Sequence, residues 1–214
     1  MENSNLENMN PIASDTGSQD EKKENKKNFK SDFMEIIEST LITVFVIVLI
    51  FTYLLHPVNV IGTSMVPTLN DDDRIFMSTI STDFSYGDIV VVNNDAAYLL
   101  DAAGNVYESD SGRLNECIIK RVIACGGQTV DIDFGTGTVT VDGEILDEPY
   151  INAPTFENEG AFTYPIVVPE GYYFVMGDNR NRSSDSRNAN VGFIKKDQIY
   201  GKAIIRYSPE FDIL

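Results

Sequence analysis

The chain has 214 residues, 43% of them hydrophobic, and carries 33 Asp and Glu against 16 Lys and Arg, a formal net charge of −17. That length holds one core of ordinary size, with room for a subdomain but not for two large domains. The acidity argues against nucleic acid as a partner, because phosphates need a basic face. Two cysteines and one histidine are too few for most protein-ligated zinc sites, so no metal and no cofactor is expected.

Residues 1–35 are expected to form a disordered tail, since up to residue 30 they are mostly Asn, Ser, Glu and Lys without apolar period. Its end carries Lys22, Lys23, Lys26, Lys27 and Lys30. From Ser39 to Leu55 the sequence STLITVFVIVLIFTYLL has no charge. Ile36 and Ile37 extend it to about 20 residues, enough to cross a hydrocarbon core. A core helix is rarely apolar on every side. A cleavable leader has a shorter apolar stretch followed by small residues, whereas here His56-Pro57-Val58-Asn59 follows. Residues 36–55 are therefore read as a single-pass anchor in the lipid bilayer of the cell membrane. Five lysines precede the span and none lies between Leu55 and Asp71. That asymmetry puts the tail in the cytoplasm and residues 56–214 outside.

Beyond the span, short β-branched runs alternate with turn residues: IFMS at 75–78, DIVVV at 88–92, CIIKRVIA at 117–124, TVDIDF at 129–134 and TVTV at 138–141. PIVV at 165–168, GYYFVM at 171–176 and YGKAIIRY at 200–207 follow. Asp142-Gly143 is a two-residue hairpin signal. The fold expected is mainly β: one N-terminal transmembrane helix, then an all-β domain with a smaller β subdomain or insertions. Residues 93–116 and 152–163 are polar and aperiodic and read as surface loops. Cys117 and Cys125 end one apolar run. As a strand it would separate them by roughly 26 Å, against the roughly 7 Å a disulfide tolerates, so two separate thiols are expected.

The segment IGTSMVPTL at 61–69 sets Ser64 in a stretch too broken to be a helix. A serine hydroxyl is a poor nucleophile until a base takes its proton. The one histidine, His56, sits at the membrane exit, which leaves lysine. A lysine can serve as base only if burial depresses its pKa. Lys120 has apolar neighbours on both sides in IIKRVI, and Lys202 in YGKAIIRY is a rival. Spacing alone leans towards a third reading of Lys120, an edge-strand charge that discourages aggregation. The donor-rich stretch GDNRNRSSDSR at 177–187 could supply support: an Asp185–Arg187 ion pair, and Ser183 to orient an amine.

Taken together, GTSMVPTL, IIKRVIACGG and GDNRNRSSDSR, with YGDIV at 86–90 and DEPYI at 147–151, resemble the type I signal peptidases. These are membrane-bound serine proteases that release exported proteins from their leaders. The resemblance spans roughly residues 36–207, in the family's order and after a single membrane span. It implies that Ser64 is the nucleophile and Lys120 the general base, with Ser183 orienting the lysine. It also implies that Asp185 and Arg187 are structural supports and that Asp178 and Asn179 shape the turn. Some members carry a serine two positions before the nucleophile as an oxyanion donor; here that position is Gly62, so the Ser64 N–H would take the oxyanion.

The resemblance further implies cleavage after small residues, Ala-x-Ala, in signal peptides of secreted preproteins. Val58, Val60, Met65, Leu69 and Ile119 are the expected pocket walls, and a monomer is expected. Only nine steps separate Leu55 from Ser64, which keeps the serine within about 30 Å of the membrane. A self-cleaving repressor-type Ser-Lys protease would need a DNA-binding motif that this sequence lacks. A membrane-anchored, non-catalytic β binding module is the remaining alternative.

Overall fold

The computed structural model describes residues 17–110 and 114–214. An N-terminal helix, α1 (Gly17–Tyr53), is followed by fourteen short strands. In chain order these are β1 (Leu55–Asn59), β2 (Arg74–Ser78), β3 (Ile89–Asn94), β4 (Tyr98–Leu100), β5 (Val106–Glu108), β6 (Glu116–Cys125) and β7 (Thr129–Asp133). Then come β8 (Thr138–Val141), β9 (Glu144–Ile145), β10 (Ile166–Val167), β11 (Tyr172–Met176), β12 (Ile194–Lys195), β13 (Ile199–Ser208) and β14 (Asp212–Ile213). The chain divides into two compact units, one ending at Leu49 and one from Ile50 to Leu214.

The stretch Phe29–Tyr53 of α1, which runs from the first unit into the second, is long and apolar enough to cross a membrane, with a mean hydropathy of 2.3 over an 18-residue window. The tail expected to be disordered is corrected in part. Residues 17–35 are helical, because Lys and Glu are good helix formers and a stable apolar helix next to them supplies the nucleus. The remainder of the expected tail, residues 1–16, lies outside the described residues.

Among its described residues the second unit is all-β apart from the end of α1 and a single 3-10 turn. Its main sheet has the order β1-β2-β13-β3-β6-β11-β12, with β14 added to β13, and every pairing is antiparallel. A smaller sheet, β10-β7-β8-β9, forms the subdomain. Its strands alternate as the sequence suggests: Val130 and Ile132 of β7 are buried opposite Val141 and Val139 of β8. Asp142 and Gly143 both take positive φ, 54° and 82°, the geometry of a two-residue hairpin turn that turns β8 back into β9. These buried faces meet Phe162, Phe174 and Phe193 in one apolar cluster.

The expectation that 93–116 and 152–163 are plain surface loops is corrected. The first holds the hairpin β4–β5, with Ala97 and Leu99 buried, and its ends belong to β3 and β6. The second drops Phe162 into the core, its ring 4.5 Å from that of Phe193, and buries Thr155. Isolated apolar side chains in polar stretches have no period to betray them. Cys117 and Cys125 are separate free thiols at opposite ends of β6.

Candidate active site

The segment that follows β1 is tied down on both flanks of Ser64. Val60 donates its N–H to the Asp73 carbonyl and accepts from the Asp72 N–H, which prolongs the β1–β2 pairing towards the loop. Met65 and Leu69 then sink into a core cluster with Val60, Ile75, Ile89 and Ala203. Between these anchors Gly62 has φ +92° and donates its N–H to Asp71 Oδ1 at 2.7 Å. That conformation is open to glycine and strained for other residues, so a serine there could not sit on this backbone without cost.

Lys120 arrives from the other side. β6 is the central strand of the sheet around the site, paired with β3 through residues 116–121 and with β11 through 121–125. Its side chains are buried on both faces from Lys120 to Ala124, so the lysine stem lies among apolar neighbours. Lys120 is 3% exposed, and Nζ donates to Ser64 Oγ at 2.9 Å and to the Ile119 carbonyl at 2.9 Å. Burial pulls its pKa down from 10.5 to about 8, opposed by the negative charges of Asp185, Glu116, Glu159 and Asp178. Lys202, the rival, is instead paired with Asp88 and partly exposed. His56 lies in β1 opposite Met77, and its ring makes no contact with Ser64 within hydrogen-bonding reach.

The 177–187 segment fastens the two together. The Asn179 N–H and Nδ2 donate to the carbonyls of Ser64 and Thr63, each at 2.9 Å. Asp178 accepts from the Thr68 hydroxyl and receives both the Nε and Nη2 of Arg121, at 2.8 and 2.6 Å. Asp178 and Asn179 therefore clamp the serine loop rather than merely shaping their own turn. Asp185 and Arg187 form a bidentate pair with both side chains fully buried, each of the two bonds 2.8 Å long. Burial alone would raise the Asp185 pKa, but the Arg187 charge and its hydrogen bonds, with the Gly177 N–H, hold it below the usual carboxylate value.

Ser183 is buried, yet its Oγ has no hydrogen-bond partner, so the expected contact with the Lys120 amine is not made. It packs against Gly177, where a Cβ would stand 2.2 Å from Ser183 Oγ and 2.5 Å from the Ser64 carbonyl oxygen. Only glycine fits there, a requirement that the sequence reading missed. It also missed Arg180, which is fully buried and paired with Glu148 while donating to Thr155, and Tyr150, whose ring lies 4.1 Å from the Arg121 guanidinium. The DEPYI stretch that supplies Glu148 and Tyr150 was the available signal.

A groove of about 530 Å³ opens beside Ser64 and Lys120. Val58, Val60, Met65 and Ile119 line it, whereas Leu69 is fully buried in the core and is not a wall. Along it, residues 116–120 of β6 pair with β3 on one edge only, because β11 pairs from Arg121 onward. Among the described residues no cluster of His, Cys, Asp and Glu could hold a metal ion. The chemistry open to this arrangement is proton removal from a hydroxyl by a buried amine, beside a groove with apolar walls.

Residues 33–208 match the family model described as "Signal peptidase, peptidase S26". The chain belongs to that family. It is 36% identical over 200 residues to signal peptidase I of Bacillus licheniformis, covering 89% of this chain and 95% of the relative. It is 32% identical to signal peptidase I T of Bacillus subtilis, covering 86% and 89%. A probable signal peptidase I-1 of Synechocystis sp. is 40% identical over 149 residues, 68% of this chain and 67% of that protein. A solved signal peptidase I from Enterococcus faecalis aligns at 28% identity with a TM-score of 0.39, over 56% of this chain and 96% of that one. Membership in this family makes the chain a hydrolase, a serine endopeptidase.

Proposed function

We propose that the chain removes N-terminal signal peptides from exported preproteins, cutting after small residues in an Ala-x-Ala pattern with a Ser64–Lys120 dyad. The observation that carries this reading is the 2.9 Å contact between a buried lysine amine and Ser64 Oγ. In its neutral form Lys120 takes the Ser64 proton as Oγ attacks the scissile carbonyl carbon. The oxyanion of the tetrahedral intermediate faces the Ser64 N–H. On collapse, Lys120 returns the proton to the leaving amine of the mature protein and an ester to Ser64 remains. Lys120 then takes a proton from water, whose oxygen attacks the ester and restores the serine. The unpartnered Ser183 hydroxyl lies near this exchange and is suited to accept from the amine when it is protonated.

Substrate adds as an extended strand to the free edge of residues 116–120, which satisfies main-chain donors and acceptors without regard to sequence. Side-chain selection then falls to the walls formed by Val58, Val60, Met65 and Ile119. Branched apolar walls leave room for alanine and exclude larger groups. Helix α1 anchors the enzyme in the cell membrane with its N-terminus in the cytoplasm. The short link to Ser64 keeps the site near the bilayer, where leaders are threaded, and no second subunit is needed.

The test is to incubate the full chain in detergent with a preprotein and sequence the new N-terminus. Cleavage should follow an Ala-x-Ala segment, and Phe in place of the last alanine should slow it by about a hundredfold, as expected for overfilling a packed pocket. An intact preprotein, or equal rates for both substrates, would refute the reading.

A further inference from the structure

The peptide group that joins Thr63 to Ser64 is held by its carbonyl alone. That oxygen, on Thr63, accepts from Asn179 Nδ2 at 2.9 Å. Its N–H, on Ser64, donates to no acceptor among the described residues. The peptide is trans and planar, with C=O and N–H pointing to opposite sides, so holding the carbonyl holds the direction of the N–H. A hydrogen bond to the carbonyl also polarises the group and strengthens the N–H as a donor. Gly62 brings no hydroxyl to the site, which leaves more to the aim of this one N–H.

The grip on the carbonyl depends in turn on a residue 27 positions before Asn179. Asn179 is 6% exposed, and its main-chain N–H donates to the Ser64 carbonyl, which seats its side chain between Thr63 and Asn152. A primary amide has one atom that donates and one that accepts. The Thr63 carbonyl can only accept, so Asn179 Nδ2 must face it and Oδ1 must face away. Asn152 meets that Oδ1 with its own Nδ2 at 2.8 Å. An Asn179 amide flipped end for end would set oxygen against the Thr63 oxygen and nitrogen against the Asn152 nitrogen. Asn152 itself is exposed and is not among the residues that line the groove.

We propose that Asn152 is a positioning residue for the reaction: it locks the Asn179 amide and, through it, aims the Thr63–Ser64 peptide so that the Ser64 N–H meets the oxyanion. The inference rests on the proposed endopeptidase reading, which puts the oxyanion at that N–H. Losing an oxyanion donor outright costs about 10²–10³ in kcat, so mis-aiming one that stays in the site should cost a part of that, about tenfold. Aspartate at position 152 keeps the shape but puts an acceptor where the donor was, which pushes against Asn179 Oδ1 and favours the flipped amide. Alanine removes the donor and opens Oδ1 to water, which can donate in its place because the position is exposed.

The experiment measures kcat and KM of the full chain in detergent on a peptide with an Ala-x-Ala leader, at about pH 10. There the Lys120 amine, with a pKa of about 8, is neutral, and a charge added nearby does not change its protonation. Asn152→Asp should lower kcat by about tenfold with KM unchanged, and Asn152→Ala by about threefold or less. A side chain that merely props up the fold would give the opposite order, because alanine removes more of it. In an Asn179→Ala background Asn152→Asp should cost nothing further, since the amide it acts through is gone. Asn152→Asp at the wild-type rate, a loss no greater than that of Asn152→Ala, or an undiminished loss in the Asn179→Ala background would each overturn the proposal and leave the peptidase reading intact. Failure of wild type to cut the peptide would instead strike at that reading.

Discussion

Ser64→Ala and Lys120→Ala are each expected to lower the single-turnover rate of preprotein cleavage by at least roughly a thousandfold. Removing Oγ deletes the atom that attacks. Removing the amine leaves a hydroxyl with no base within reach, because His56 lies in β1 and Lys202 is engaged by Asp88. Both losses should fall on kcat, with KM little changed, since the walls and the β6 edge that bind substrate are untouched. The double variant should be no worse than the more damaged single one, because the two groups act as a unit. Cleavage within a few-fold of wild type by either single variant would exclude the dyad. Purified protein in detergent and a preprotein processed to a defined product are sufficient for the measurement.

Lys120→Met should abolish cleavage and yet make the protein more stable at neutral pH. The folded amine has a pKa of about 8 against 10.5 in the unfolded chain. Below about pH 8 both states carry the proton, and the folded state bears the full cost of a desolvated charge. At about 1.4 kcal/mol per tenfold in proton affinity, that cost is about 3 kcal/mol. Between 8 and 10.5 the unfolded state holds the proton and the folded state does not, so stability rises with pH; above 10.5 the cost is gone. Methionine fills a similar volume without the charge but leaves the Ile119 carbonyl and Ser64 Oγ, which opens to the groove, without their amine partner, a loss of about 1 kcal/mol in all. The net gain near pH 7 is about 2 kcal/mol, or roughly 4–8 °C in Tm for a chain of this size. Thermal melts of wild type and variant across this pH range should show the gap close as pH rises. A variant less stable than wild type at neutral pH would mean that the amine is not strained by burial.

The sequence and the structure part company where partners lie far apart along the chain. Most of the strands were legible because β-branched runs and turn residues act locally, as in TVDIDF, TVTV and the Asp142-Gly143 turn. Ser64 and Lys120 stood out by their neighbours, but spacing could not choose between Lys120 and Lys202. The choice depends on Asp88, 114 residues from Lys202, and on a depth of burial that periodicity does not report. The same blindness hid Arg121 and Arg180. Each is a charge inside the protein that can be there only because Asp178 or Glu148 meets it from a distant segment. The helical start of α1 was missed for the opposite reason, since a polar stretch takes its structure from the apolar helix it continues into. Gly177 was quoted within a motif, but its need for an absent Cβ becomes visible only when the Ser64 carbonyl and Ser183 are in place.

Whether Lys120 acts as a neutral base is read most directly from the pH dependence of the single-turnover rate, measured from about pH 6 to about pH 10 with chemistry limiting. The rate should climb about tenfold per pH unit at the acid end and level off near the amine's pKa of about 8. A rate that stays flat from about pH 6 to about pH 9 would contradict the assignment, because no step would then wait for that amine to lose its proton.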